Sequence, residues 1–361
     1  MRRTVTALAL ATVLLVAACG GGGGDDASGS TDPSAAADPT DDGGSPPTTD
    51  AATGAAWVEI EEAMAAMAPK VGLLAARVGD DGTCEPVHAV EPATARPIGS
   101  QFKLIVLGAV ADRIADGDLA WDDTLIVGAD DQSFGNGEGS LQEVEPGTEV
   151  TVEEAATLMI SISDNTAADV LIDLVGVEAV EARAAEWVAD ETANVPFLTT
   201  RQMFMLHYLP GLADRYLDTP PDERADFLVD TVDPRPLSDM FVGLTPEPAH
   251  VETIEWFATP EDVCRTFAGL HEQAADPALA PLDGILSQQV VGIELDDAHW
   301  PTVWYKGGSE PGVLALGWLA VTDDGETHVV EMTATDPDEP LADDVITDLI
   351  DLAADAFALL A

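Results

Sequence analysis

Apolar residues are almost absent between positions 20 and 55, where Gly, Asp, Ser, Thr, Pro and Ala dominate, so this stretch predicts a disordered tether over 20–55. The pattern changes near Trp57. WVEIEEAMAAMA (57–68) spaces its apolar positions as a helix does. VGLLAARV (71–78) predicts a buried strand, and EPVHAV (85–90) its hairpin partner across the turn Gly79-Asp80-Asp81-Gly82. A long helical middle follows, from about 100 to 280. TVWYKGG (302–308), VLALGWLAVT (313–322) and THVVEMTAT (327–335) predict three consecutive antiparallel strands. The last segment carries apolar residues at Val345, Leu349, Leu352, Ala356 and Leu360, the stripe of a closing helix. No second linker and no internal repeat interrupts 56–361, which is therefore read as one domain. Strands at both ends with helices between them define an α+β fold. One antiparallel sheet should be covered by N- and C-terminal helices on one face and by an all-helical lobe on the other.

The first 19 residues, MRRTVTALALATVLLVAAC, combine two arginines, an apolar stretch too short to span a bilayer stably, and small residues before Cys19. This is a targeting segment (1–19). Val16-Ala17-Ala18-Cys19 resembles a bacterial lipobox, which implies cleavage before Cys19, lipidation of its thiol and tethering to the outer face of the cell membrane. An ordinary secretory signal with an incidental cysteine is the alternative. The 361-residue chain has 67 acidic and 14 basic residues, a formal charge of −53. Such a surface repels nucleic acid and anionic lipid, so nucleic acid is excluded as a partner and membrane contact is expected through the lipid anchor only. The acids are spread along the whole chain, as in a surface adapted to high salt or to solubility. Cys84 and Cys264 remain after Cys19. In an oxidising compartment they are either a disulfide or two buried, inert thiols.

Only three lysines are present, and Lys103 sits inside the apolar run of GSQFKLIVLGAV (99–110). Ser100 lies near the start of the helix expected there, three residues before it, so the Lys103 amine can reach the Ser100 hydroxyl. A serine hydroxyl becomes a nucleophile when a base takes its proton, and a lysine is that base when burial or another cation lowers its pKa. The competing reading is a lysine that snorkels to the surface. Ser163-Asp164-Asn165 lies between two helical stretches and is also a good helix cap. Lys306-Gly307-Gly308 ends a predicted strand, where a turn with a stray lysine would look the same. A nucleophile elbow, a metal-binding histidine spacing and a phosphate loop are all missing from the sequence, and no metal or cofactor is expected.

The ordered set S-x-x-K, S-D-N and K-G-G resembles the serine β-lactamase and penicillin-binding protein superfamily, and class A β-lactamases most closely. The resemblance runs from about Trp57 to the end and implies the β-lactamase/transpeptidase-like fold. It implies Ser100 as nucleophile, Lys103 as its base or proton relay, Ser163 as proton donor to the leaving nitrogen, and Lys306 beside it. Asn165 would hold Lys103 and the substrate's amide. The backbone N–H groups of Ser100 and Ser309 would form the oxyanion hole, with Gly308 between Lys306 and Ser309. The implied partner is a β-lactam or a related acyl substrate, met by a monomer.

The chain also departs from class A. Those enzymes place a Glu-x-x-Leu-Asn segment after S-D-N to activate the deacylating water, and none occurs here; the asparagines are Asn136, Asn165 and Asn194. An enlarged segment fills 196–250 instead. Position 307 is Gly where the family has a hydroxyl residue, a role Ser309 could take over, and no arginine follows Arg265. Acylation therefore looks intact, whereas deacylation and carboxylate binding look altered. Three functions follow: a lipid-anchored serine hydrolase opening β-lactams, a penicillin-binding-like peptidase or esterase on another acyl donor, and a non-catalytic ligand-binding lipoprotein of the same fold.

Overall fold

The computed structural model describes residues 49–135, 140–289 and 293–361. Cys19, the signal segment 1–19 and the tether up to residue 48 lie outside the described residues. Helix α1 spans Thr49–Met67 and so begins seven residues before the end of the expected tether. Its first two turns are rich in Ala, the strongest helix former, which extends the helix beyond its buried face at Trp57, Ile60 and Met64.

The sheet has five antiparallel strands: β1 (Lys70–Val78), β2 (Cys84–Val90), β3 (Thr302–Glu310), β4 (Val313–Val321) and β5 (Thr327–Thr335), in the order β2-β1-β5-β4-β3. The two ends of the chain thus meet at the β1–β5 pair, registered from Lys70 opposite Thr335 to Val78 opposite Thr327. β3 is an edge strand, so one of its sides is left for a neighbour other than a strand.

Both faces of the sheet are covered, which is why β1 and β4 read as near-continuous apolar runs rather than alternating ones, whereas β5 also buries His328, Glu331 and three threonines. Leu73 and Ala75 point to one side with Leu316, Trp318 and Met332, against α1 and the closing helix α8 (Val345–Leu360). Leu74 and Ala76 point to the other with Ala315, Leu319 and Val329, against the helical lobe. The buried stripe of α8 is Val345, Leu349, Ala353, Ala356 and Phe357. Leu352 and Leu360 flank it half-buried, because a 3.6-residue period carries the sheet-facing line through 353 and 357.

The lobe contains α2 (Lys103–Ala115), α3 (Val152–Ser161), α4 (Asn165–Val175), α5 (Val177–Trp187), α6 (Thr200–Tyr208) and α7 (Pro260–Gln273). Cys84 and Cys264 form a disulfide that joins the start of β2 to α7, closing the question the sequence left open. It bridges 180 residues, and a loop of that size removes on the order of 4–5 kcal/mol of chain entropy from the unfolded state.

Candidate active site

The turn that carries Ser100 is a single 3-10 turn, Gly99–Phe102, that leads directly into α2. Phe102 fixes it from below: its ring stacks on Trp256 at 3.8 Å between centroids and meets Phe197 edge-on at 5.9 Å. Lys103 is therefore the first residue of α2, fully buried, with its amine turned back toward Ser100 rather than out to solvent. The snorkelling alternative is not what the fold adopts.

Four oxygens surround the Lys103 Nζ: the Ser163 carbonyl at 2.6 Å, Asn165 Oδ1 at 2.7 Å, Ser163 Oγ at 3.1 Å and Ser100 Oγ at 3.3 Å. Ser163 adopts a left-handed backbone (φ 58°), rare for a side-chain-bearing residue, which allows its carbonyl and its hydroxyl to face the same amine. Asp164 then caps α4 by accepting from Ala167 N–H and also accepts from Leu141 N–H, so the capping reading of S-D-N holds while Ser163 and Asn165 on either side of it face Lys103. Asn165 Nδ2 donates to the Phe134 carbonyl, which orients its Oδ1 toward Lys103.

From the sheet side, Lys306 Nζ donates to Ser163 Oγ at 3.0 Å and to the Gly307 carbonyl at 2.7 Å. Both amines are buried, and burial disfavours their charged forms. Burial brings Lys103 down to about 7, against a pull upward from Asp164 and Asp169. Lys306 is also pushed well below the usual lysine range, by burial first and then by the Lys103 amine.

The 3-10 turn and β3 approach backbone to backbone. A Cβ on Gly308 would lie 2.0 Å from the Ile98 carbonyl oxygen and 2.6 Å from Ser100 N, and one on Gly99 (φ 48°) would lie 3.0 Å from Ser309 N. Glycine is the residue that lets the Ser100 and Ser309 N–H groups come to the same junction. The glycine at 307 has a local cause as well: a Cβ there would meet the Tyr305 hydroxyl at 2.2 Å. A larger side chain at 307 therefore requires Tyr305 to move.

Ser100, Lys103, Ser163, Asn165 and Lys306 thus converge, with Gly308 and Ser309 at their edge. Other partners of the site escaped the sequence reading. Gln101 Nε2 donates to Glu331 Oε2 at 2.8 Å and to the Lys306 carbonyl at 3.2 Å, tying the nucleophile turn to β3. Glu331 is fully buried, and burial raises its carboxyl well above its ordinary value, against a smaller downward pull from the Gln101 hydrogen bond. A lone acid within THVVEMTAT was the available signal, of the same kind as the lone lysine in the apolar run at 99–110. The second missed group is a carboxyl pair, Glu255 and Glu310, buried next to His207 and directly after Ser309 in the chain.

The segment Val195-Pro196-Phe197-Leu198-Thr199 has the spacing of Glu-x-x-Leu-Asn, with Val195 at the glutamate position and Thr199 at the asparagine. It abuts the site: Phe197 packs on Phe102, and Thr200 Oγ1 donates to the Asn165 carbonyl at 3.2 Å. Asp169, in turn, accepts from the Thr200 and Arg201 N–H groups and holds α6 on α4.

A five-stranded sheet between terminal helices and a helical lobe, with a serine and two buried amines at their junction, is the architecture of the serine β-lactamase and penicillin-binding protein superfamily. Residues 56–293 match the model of the β-lactamase enzyme family, and the chain belongs to that family. Among solved structures, the β-lactamase of Sphaerobacter thermophilus is 21% identical with a TM-score of 0.54, covering 85% of this chain and 94% of that one. The β-lactamase of Chitinophaga pinensis is 17% identical with a TM-score of 0.54, covering 84% and 99%. A point mutant of PBP-A, solved as an acyl-enzyme complex with penicillin G, is 17% identical with a TM-score of 0.53, covering 85% and 96%. No curated protein matches.

Proposed function

We propose that the protein opens the amide of a β-lactam or related acyl donor through an acyl-enzyme on Ser100, and that it releases the acyl group slowly. The observation that carries the first half is the arrangement of acceptors around Lys103. A neutral amine has two N–H donors and one lone pair. The two shortest contacts, to the Ser163 carbonyl and Asn165 Oδ1, take the donors, which leaves the lone pair for the Ser100 hydroxyl. Ser100 Oγ attacks the carbonyl carbon while its proton passes to Lys103 Nζ. The oxyanion forms against the N–H groups of Ser100 and Ser309. As the C–N bond breaks, Ser163 Oγ gives its proton to the leaving nitrogen and is reprotonated by the Lys103 ammonium 3.1 Å away. Lys306, donating to the same hydroxyl, stabilises its transient negative charge and supplies a positive centre for an anionic substrate in a strongly acidic protein.

The second half rests on Val195. A valine accepts no proton from water, so the position that would activate a hydrolytic water in class A enzymes is inert here. Incubation with a chromogenic β-lactam, followed by intact mass and peptide mapping, tests the reading. A stoichiometric burst with an adduct on Ser100 is the expected result; no adduct, or one on another residue, overturns it. Val195→Glu, alone or with Thr199→Asn, should raise the deacylation rate about 10–100-fold without changing the burst, as expected of a positioned general base. Unchanged adduct lifetimes in both variants would show that the segment does not face the acyl group.

The lipobox-like Val16-Ala17-Ala18-Cys19 supports export and anchoring at the outer face of the cell membrane through Cys19. Extraction of the protein with detergent, and its release into the medium on Cys19→Ser, is the matching cell-level check.

A further inference from the structure

A cleft of about 560 Å³ opens on the molecule among Lys70, Thr94, Ala95, Arg96, Pro97, Ala193, Glu252, Phe257 and Thr335. It shares no lining residue with Ser100, Lys103, Ser163 or Lys306. The residue of interest is Arg96, which is only 8% exposed. Its Nε is buried with no hydrogen-bond partner among the described residues. A guanidinium does not lose its proton, and a buried N–H donor without an acceptor is unfavourable. The setting makes this odd, because acids outnumber bases in the chain by 67 to 14.

Among the described residues, the nearby carboxylates make no hydrogen bond to Arg96, although the charge of Glu91 favours its protonated form. Glu91 accepts from the Thr94 hydroxyl at 2.8 Å, and Glu252 is bonded to Lys70. The other buried arginine, Arg201, satisfies itself with the carbonyls of Gln132 and Arg235. Arg96 has also gathered unused hydroxyls around it. Thr333 and Thr335 each keep a buried Oγ1 without a hydrogen bond. The Thr333 hydroxyl and the Arg96 Nε both crowd the space above Gly72, where a Cβ would lie 2.7 Å from the first and 3.2 Å from the second. The rest of the wall, Ala95, Pro97, Ala193 and Phe257, is apolar.

We infer that this cleft is a second binding site, separate from the Ser100 centre, for an organic carboxylate with an apolar body. The planar carboxylate would take the guanidinium fork and a threonine hydroxyl, and the body would lie along Pro97 and Phe257. The buried Arg96 Nε–H and two spare hydroxyls lack partners, and the adjoining surface suits a hydrocarbon rather than a hydrated inorganic ion.

Calorimetric titration of the full chain with phenylacetate, at constant ionic strength set by chloride, tests this. Binding should saturate at one site, persist in Lys306→Gln, weaken at least about 10-fold in Arg96→Gln, and weaken about 3-fold in Thr335→Val. Ligand-free Arg96→Gln should melt no lower than the wild type, since the substitution removes a buried N–H donor that has no acceptor. Absence of saturable binding overturns the site, as does binding lost in Lys306→Gln and kept in Arg96→Gln, which would place it at the catalytic lysines. Inorganic phosphate binding as tightly as phenylacetate would overturn the ligand class. A ligand-free Arg96→Gln that melts much lower would show the guanidinium to be a structural group; Thr335→Val then still reports on the site, and unchanged affinity in it would overturn the proposal.

Discussion

Lys103→Met should slow acylation of Ser100 by about 10²–10⁴-fold, the range spanned by removal of a general base, while leaving the protein about as stable as the wild type, or more stable, near pH 6. The two effects have one cause. Burial holds the amine at about 7 instead of 10.5, which costs on the order of 5 kcal/mol whenever the group must be charged. Methionine keeps the length of the side chain and discards that penalty. It also strips a donor from the Ser163 carbonyl and Asn165 Oδ1, worth about 1–3 kcal/mol for each buried acceptor. The balance leaves the variant between about 1 kcal/mol behind the wild type and about 3 kcal/mol ahead of it.

The sign with pH follows from linkage. Between about 7 and 10.5 the unfolded chain binds more protons at this lysine than the folded one, so its contribution to stability rises with pH across that window. The penalty is complete below 7 and gone above 10.5, and any advantage of Lys103→Met shrinks accordingly. In the wild type the acylation rate should climb through about pH 7 and level off above it, because only the free amine accepts the proton. Stopped-flow acylation and thermal melts from pH 5 to 10 measure both. A rate that is flat across pH 7, or a variant acylated as fast as the wild type, would remove Lys103 from the base role.

The other large effect concerns the carboxyl pair beside the oxyanion strand. Burial raises Glu255 to about 8, and burial together with Glu255 raises Glu310 well above its ordinary value. His207 lies against them with its Nδ1 3.6 Å from Glu310 Oε2, but its Nε2–H is donated to the Ile254 carbonyl and burial lowers the ring to about 4. Burial therefore works against the charged form on both sides of this contact. Tyr208, also facing the pair, is pushed upward by burial and by the two acids, so no cation among these neighbours compensates them. Carboxyls raised in the folded state give their full stability below about pH 4.5. They lose it progressively as pH rises through about 8.

Glu310→Gln should remove most of this loss. The variant should gain on the wild type from pH 5 to pH 9, with each kcal/mol worth about 2–4 °C in melting temperature. The difference between the two proteins is the quantity to follow, because Lys103 and Lys306 tilt the wild-type curve the opposite way above pH 7. A difference that stays constant with pH would mean the pair is ionised in the folded protein.

The carboxyl pair also marks where the sequence stopped being informative. Glu255 and Glu310 are 55 positions apart, each flanked by ordinary loop or strand residues, and nothing local says that they touch. By contrast the sheet was legible almost to the residue. β3, β4 and β5 are bounded by polar turns and each carries β-branched or aromatic residues within an apolar stretch, and their period is fixed by the pleat. Ser100 and Lys103 were legible for a similar reason, since three residues on a helical turn bring two side chains together whatever surrounds them. The start of α1 was misjudged because an Ala-rich polar run supports both a tether and a helix, and only packing of Trp57, Ile60 and Met64 on the sheet decides between them.

By itself, then, the sequence determined the local geometry: which segments alternate or repeat as strands and helices, and which serine and lysine share a turn. Tertiary structure decided everything that depends on distance through space. It placed Lys306 against Ser163 across 143 positions, paired Cys84 with Cys264, buried Glu331 under Gln101, and left the Arg96 Nε–H without an acceptor. The physical reason is that desolvation acts on a group through all its neighbours at once. A chain written in one dimension names the residues, whereas the dielectric around an amine or a carboxyl exists only after the fold has closed over it.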